Sequence, residues 1–464
     1  MEAITRKEKI MSGENLTPIT RKEKFLAKAA GMDVETPEPI TREEIFLAKI
    51  QGGSGGDGGS GGGGSTSVKM KDVNFYDYEG TLLHSYTLSQ VQALSQLPEL
   101  PTHDGLICQG WNWTLEDIKA EGQEIDVGAV YITDDGKTRL YINIENPESL
   151  TYILNISIRS GSLSIDWGDG VVGSDTTHTY ENVGEYVISI NPPEGYNQLE
   201  IGNGKYKNSP IFLTANSTET NAYANDLRAS LRKVEFGKNV TLYNNAFLSC
   251  SNLESVTMPF NTETSSTTSG FSMCHSLKSI VMASDDISER MFYSCYSLKC
   301  VCLTKNTEIE RYAFGNCYVL GRVTISKSAQ MKSIGQYAFS KCGLRRLNWC
   351  VGTIPPYLFE YNERAITLSL MDGVTTIGSR AFQSCQPLAR VYFPPSVTTI
   401  GGYAFFDCYA IKVFDFSNHN AVPTLSANLA ISSPSYEIRV PAALVDEWKA
   451  ATNWSTYADN IVGV

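Results

Sequence analysis

The sequence is short of the features that mark most enzymes, membrane proteins and nucleic-acid binders. No stretch of about 18 apolar residues occurs, so no helix is expected to cross a membrane. The first residues are charged and lack an apolar core, so no secretory signal is expected. Charged side chains are sparse at 19%, and acids outnumber bases, giving a formal net charge of −12. That balance argues against a nucleic-acid partner, because phosphate binding needs clustered Lys and Arg. The five histidines (84, 103, 178, 275 and 419) stand singly, without metal-ligand spacing. There is no Gly-x-Ser-x-Gly elbow, phosphate-binding glycine loop or His-Glu-x-x-His pair. Neither catalysis nor a metal or other cofactor is expected. Eleven cysteines, an odd number without paired spacing, read as reduced thiols.

What is present is repetition. From Leu231 to Phe416 a pattern Phe-x-x-Cys-x-x-Leu-x-x-Val-x-Leu returns eight times, with Phe at 247, 271, 292, 314, 339, 359, 382 and 405. Steps of 20 to 25 residues with fixed apolar offsets indicate a solenoid, whose units bury their apolar faces only by stacking. Leu-x-x-Val-x-Leu suits a short strand with alternate residues inward. Ile-Gly-x-x-Ala-Phe, as in Ile377 to Phe382, suits a turn and a compact helical or irregular segment. With Pro395-Ser396-Val397-Thr398-Thr399-Ile400-Gly401 leading to Ala404-Phe405, the region resembles the BspA-like leucine-rich repeats of bacterial and phage surface proteins.

One repeat position holds Cys250, Cys274, Cys295, Cys317, Cys342, Cys385 and Cys408, and in the sixth repeat Asn362. Stacked strands lie about 4.8 Å apart, which by itself allows bridging. Asn forms no disulfide, however, so the position is expected to ask for small size and a hydrogen-bond donor, forming a buried structural ladder. The residue after it is His275, Tyr296, Tyr318 or Tyr409 in four repeats, a candidate receptor-binding column aligned by stacking.

Residues 1–51 carry a second repeat: Ile4-Thr5-Arg6-Lys7-Glu8, Ile19-Thr20-Arg21-Lys22-Glu23 and Ile40-Thr41-Arg42-Glu43-Glu44. Thr followed three residues later by Glu is a capping box, and the preceding Ile a staple. The helices that follow, with Phe25 and Phe46 on them, are too short to be stable alone, so the segment is expected to become ordered on a partner. Residues 52–67 form a Gly/Ser linker.

Residues 68–137 read as a small α+β module with a hairpin across Glu79-Gly80 and helices from Leu88 and Thr114. Asp77-Tyr78-Glu79-Gly80-Thr81 lacks the second Asp of a haloacid-dehalogenase phosphatase motif and reads as a hairpin turn. With Gly110-Trp111-Asn112-Trp113-Thr114-Leu115 and Tyr131 to Gly136, the module resembles one found in prophage and phage fibre proteins. Residues 138–228 alternate as strands. Trp167-Gly168-Asp169-Gly170, His178-Thr179-Tyr180 and Gly184-x-Tyr186-x-Ile188 resemble the PKD family of immunoglobulin-like β-sandwiches, which implies a spacer. Asp166 and Asp169 suit turns; calcium is the alternative. A leucine-rich-repeat solenoid then spans 229–430 and a C-terminal cap 431–464.

This multidomain order implies docking by the tail and display by the solenoid. The fibre resemblance and the missing export signal point to a virion surface protein, a head or tail fibre assembled in the host cytoplasm. Its expected partners are other virion proteins through residues 1–50 and a host-surface glycan or protein through the solenoid, with self-association left open. A bacterial cell-surface adhesin is the alternative.

Overall fold

A computed structural model of the chain describes residues 70–158, 161–191, 198–213, 227–260, 262–264, 268–282, 286–304, 308–323, 334–349 and 352–464. The expected docking tail and linker, including Ile4, Thr5, Glu8, Ile19, Thr20, Glu23, Phe25, Ile40, Thr41, Glu44 and Phe46, lie outside these residues.

The N-terminal module is a four-stranded sheet with two short helices. Its elements are β1 (Val73–Tyr76), β2 (Leu82–Tyr86), α1 (Leu88–Gln92), β3 (Leu106–Trp111), α2 (Leu115–Glu121) and β4 (Ile125–Thr133). Strand β1 pairs antiparallel with β2 across the expected hairpin and parallel with β4. Thr87 and Thr114 cap the helices with their side chains. Helix α1 stops at Gln92, earlier than the apolar spacing to Leu97 predicts.

The next segment is not an independent spacer. Its strand β5 (Thr138–Ile144) pairs with Gly184–Ile190 on one side and Leu231–Glu235 on the other. Leu231–Glu235 pairs in parallel with Ser255–Thr257, the first repeat strand. On the second solenoid face, Ile156–Ile158, Leu199–Ile201 and Val240–Leu242 form another continuous sheet. Both faces of the solenoid therefore begin as extensions of this segment, and one buried core runs from Leu140 through Trp167 to Trp454. The boundary drawn at 228 divides that core. The physical reason is that a solenoid's first coil exposes an apolar end that must be covered, and the strands of 138–213 cover it.

Among the described residues the coil strands pair in parallel, Ser279–Val281 with Cys300–Cys302 and, further on, Arg346–Trp349 with Thr367–Leu370 and then Arg390–Tyr392, with Ile280, Val301, Leu347, Leu368 and Val391 buried inward. The Phe anchors form one continuous stack: 247 on 271 at 5.1 Å, 292 on 314 at 5.4 Å and 382 on 405 at 5.2 Å, with rings within 10° of parallel. The Ile-Gly-x-x-Ala-Phe segment is a tight turn, not a helix. Residues two before and two after each Phe adopt left-handed backbone: Tyr312 and Asn316, Tyr357 and Tyr361, Arg380 and Ser384. Non-glycine residues pay about 1–2 kcal/mol for this. The offset is a row of amides aimed at the next coil, such as Tyr312 to Gln336 O at 3.1 Å, Phe314 to Ala338 O at 2.9 Å and Asn316 to Ser340 O at 2.9 Å. The motif glycine is there for close approach: a Cβ on Gly378 would lie 2.5 Å from Pro356 N.

At the far end, Glu437–Val440 and Ile461–Gly463 extend the sheet, and α3 (Val445–Ala450) brings Trp448 down on the last coil. Trp448 and Trp454 pack against Phe416 at 4.9 and 5.5 Å. Trp454 Nε1 donates to Pro423 O at 2.8 Å.

Candidate binding surface

The ladder position is interior. Each thiol donates to the carbonyl of the preceding coil's Phe: Cys274 to Phe247 (3.3 Å), Cys295 to Phe271 (3.2 Å), Cys317 to Phe292 (3.2 Å), Cys342 to Phe314 (3.1 Å), Cys385 to Phe359 (3.3 Å) and Cys408 to Phe382 (3.1 Å). Asn362 does the same with Nδ2, to Phe339 O at 2.8 Å and Phe359 O at 2.8 Å. Cys250 begins the series and is buried, like the rest. Burial pushes the thiols of Cys250 and Cys408 up to about 12, and the others upward too. Such protonated thiols are poor nucleophiles and poor metal ligands. Among the described residues no group of three His, Cys, Asp or Glu is placed to hold a metal. Asp166 and Asp169 accept from the amides of Gly168 (2.9 Å) and Val171 (3.2 Å), which makes them turn residues.

The candidate column divides. His275 stacks on Tyr296 at 4.5 Å and Tyr296 on Tyr318 at 5.2 Å. All three are half-buried, and burial lowers the His275 pKa. Tyr409 stands apart on a later coil, 50% exposed, its hydroxyl donating to Asp407. The coils between carry Gly343, Glu363 and Gln386 at this position, which breaks the aromatic run.

A longer column lies two residues before the Phe anchors, at the left-handed position: Arg290, Tyr312, Tyr337, Tyr357, Arg380 and Tyr403. Tyr312, Tyr337 and Tyr357 stack at 4.6 and 4.5 Å. Guanidiniums close both ends, Arg290 at 5.2 Å from the Tyr312 ring and Arg380 between Tyr357 (6.0 Å) and Tyr403 (5.1 Å). Desolvation, then the phenols of Tyr357 and Tyr312, push Tyr337 up to about 12, so these hydroxyls stay protonated donors at neutral pH. Beside the column a groove of about 240 Å³ is lined by Tyr293, Asn316, Lys341 and Glu360. The signal was present in the sequence, since Tyr or Arg fills this offset in six consecutive repeats. The sequence alone does not single it out, because nothing in those residue types announces left-handed backbone.

Residues 196–299 and 285–412 match the BspA type leucine-rich repeat region in six copies. Over that span the chain carries repeats that match this type. Two solved structures are similar to it. One is a leucine-rich repeat protein from Bacteroides ovatus, 18% identical, covering 56% of this chain and 89% of its own, with a TM-score of 0.25. The other is a leucine rich cell surface protein from Faecalibacterium prausnitzii, 16% identical, covering 48% and 91%, with a TM-score of 0.19. No curated protein matches the chain.

Proposed function

We propose that this is a non-enzymatic binding protein whose solenoid presents the tyrosine–arginine face to a glycan or protein on a cell surface. The observation that carries the reading is the column from Arg290 to Tyr403. Six consecutive coils place a ring or guanidinium at one strained position, although the Phe stack already completes the core beneath. Tyr and Arg combine area, hydrogen-bonding capacity and low entropy loss, which is why interfaces favour them. A bacterial cell-surface adhesin is the form that BspA-type repeats favour. Display on a virion, with residues 1–50 docked on other virion proteins, draws support from the tail motifs and the fibre-like block, and neither is specific to a virion.

The test is a glycan and cell-binding array with the full chain and with Tyr337→Ala/Tyr357→Ala. Binding should fall by roughly tenfold or more, as for a hot-spot pair. Unchanged binding with retained folding refutes the assignment of the face. Antibody labelling of intact cells and of particles separates the two settings.

A further inference from the structure

The N-terminal module does not hang free of the solenoid. Trp113 Nε1 donates to Leu303 O at 2.7 Å, Asn112 Nδ2 to Cys302 O at 3.2 Å and Ser279 Oγ to Tyr78 O at 2.6 Å. Gly128 admits the methyl groups of Val281, which a Cβ would meet at 2.5 Å. The module thus covers the outward face of the early repeat strands. Along one edge of this contact a cleft of about 900 Å³ is left open.

The charges in that cleft are unbalanced. Among the described residues five cationic and three acidic side chains line it, in a chain whose net charge is −12. The acids are already engaged. Asp126 and Glu124 face Arg322 at 3.2 and 3.8 Å, and Asp72 accepts from the Leu88 amide at 2.9 Å. Arg322 also donates to Asp72 O at 2.9 Å, which locks it into the module. Lys299, Arg345 and Arg364, all on the solenoid wall, have no carboxylate partner among the described residues. Burial, with the charge of Arg345 nearby, presses the Arg364 pKa down, so the two guanidiniums repel without a counter-ion. Lys299 and Arg345 follow the strand-leading Leu of their coils, Leu298 and Leu344. In the coil between, that place is Gly321, where an added Cβ would meet nothing nearer than 3.9 Å. The space above Gly321 is therefore open between two cations, with Val319, Val323 and Met371 also on the wall.

We infer that this cleft is a binding site for an acidic peptide segment of a partner protein, with carboxylates on Lys299, Arg345 and Arg364 and apolar side chains between them. Planar guanidiniums match carboxylates in a paired geometry. Interleaved aliphatic and Met side chains suit a peptide better than a sugar, and among the described lining residues the one aromatic ring, Tyr76, is buried. The site is separate from the tyrosine face and does not depend on it.

The full chain supplies its own footprint. Cys300 lines the cleft and is partly exposed, Cys108 is partly exposed elsewhere, and the ladder thiols are buried. A fluorescent octapeptide alternating Glu and Leu should bind at least roughly tenfold more tightly than its Gln counterpart, with affinity falling as salt rises. It should slow alkylation of Cys300 but not of Cys108, read residue by residue by mass spectrometry. Arg345→Glu/Arg364→Glu should abolish both effects, and so should Gly321→Trp, which fills the space at a position free of left-handed strain. Equal affinity for the Glu and Gln peptides overturns the proposal. So does unprotected Cys300 in the wild-type chain, or binding of a glucuronate oligosaccharide in place of the peptide.

Discussion

Replacing Asn362 tests whether the ladder position works as a hydrogen-bond donor. Its Nδ2 holds two carbonyls, while its Oδ1 is buried without a partner. In Asn362→Ala, Phe359 O keeps the Cys385 thiol at 3.3 Å and the residue's own amide at 3.3 Å. Phe339 O loses its side-chain donor, and a buried unsatisfied carbonyl costs about 1–3 kcal/mol. With the small void added, the loss should be about 2–3 kcal/mol. Asn362→Cys restores the donor used in the neighbouring coils and removes the orphaned Oδ1. It should be neutral or stabilising by up to about 1 kcal/mol. Urea unfolding followed by both circular dichroism and tryptophan fluorescence measures this, two probes being needed because stacked repeats can depart from two-state behaviour. If Asn362→Cys destabilises as much as Asn362→Ala, the position is not a donor site and the ladder has another basis.

Burial raises the ladder thiols above their ordinary value of 9.0, to about 12 for Cys250 and Cys408. The unfolded chain therefore loses those protons first, and stability should decline as pH rises from about 9 toward 12, as denaturation midpoints across that range would show. Under native conditions at pH 8 the same thiols should resist alkylation, and rapid modification of all seven would contradict their burial. Trp448→Ala removes the ring covering Phe416 and should cost about 3–5 kcal/mol, with aggregation on heating seen by light scattering. Gly378→Ala forces a methyl against Pro356 and should cost about 1–3 kcal/mol in thermal unfolding. Arg322→Ala leaves Asp126, 6% exposed, without its cation. It should free the module, seen as faster hydrogen exchange over residues 73–133.

The repeat was legible because its constraint is local and recurs: the same apolar offsets and the same small donor return at every coil. A ladder in which Asn replaces Cys could be read from residue chemistry alone, since size and hydrogen bonding, not oxidation, are what the two share. The hairpin at Gly80 and the helix start at Thr114 were legible for the same reason, each resting on a few neighbouring residues.

What the chain order hid was how its parts meet. Alternating strands between 138 and 213 read as a separate sandwich, because their pattern is the same whether a sheet ends at β5 or continues into Leu231–Glu235. Val281 and Cys302 look like exposed strand positions until the module lies on them. The cleft beside Gly321 combines residues 200 or more positions apart, such as Met70 and Arg345. By itself the sequence determined the coil, its period and its buried ladder, because those follow from the periodicity of side chains along one chain. Only the tertiary structure decided which strand faces were covered, what closes the first coil and which cations lack a carboxylate among the described residues, because burial and charge pairing depend on segments that the sequence does not place side by side.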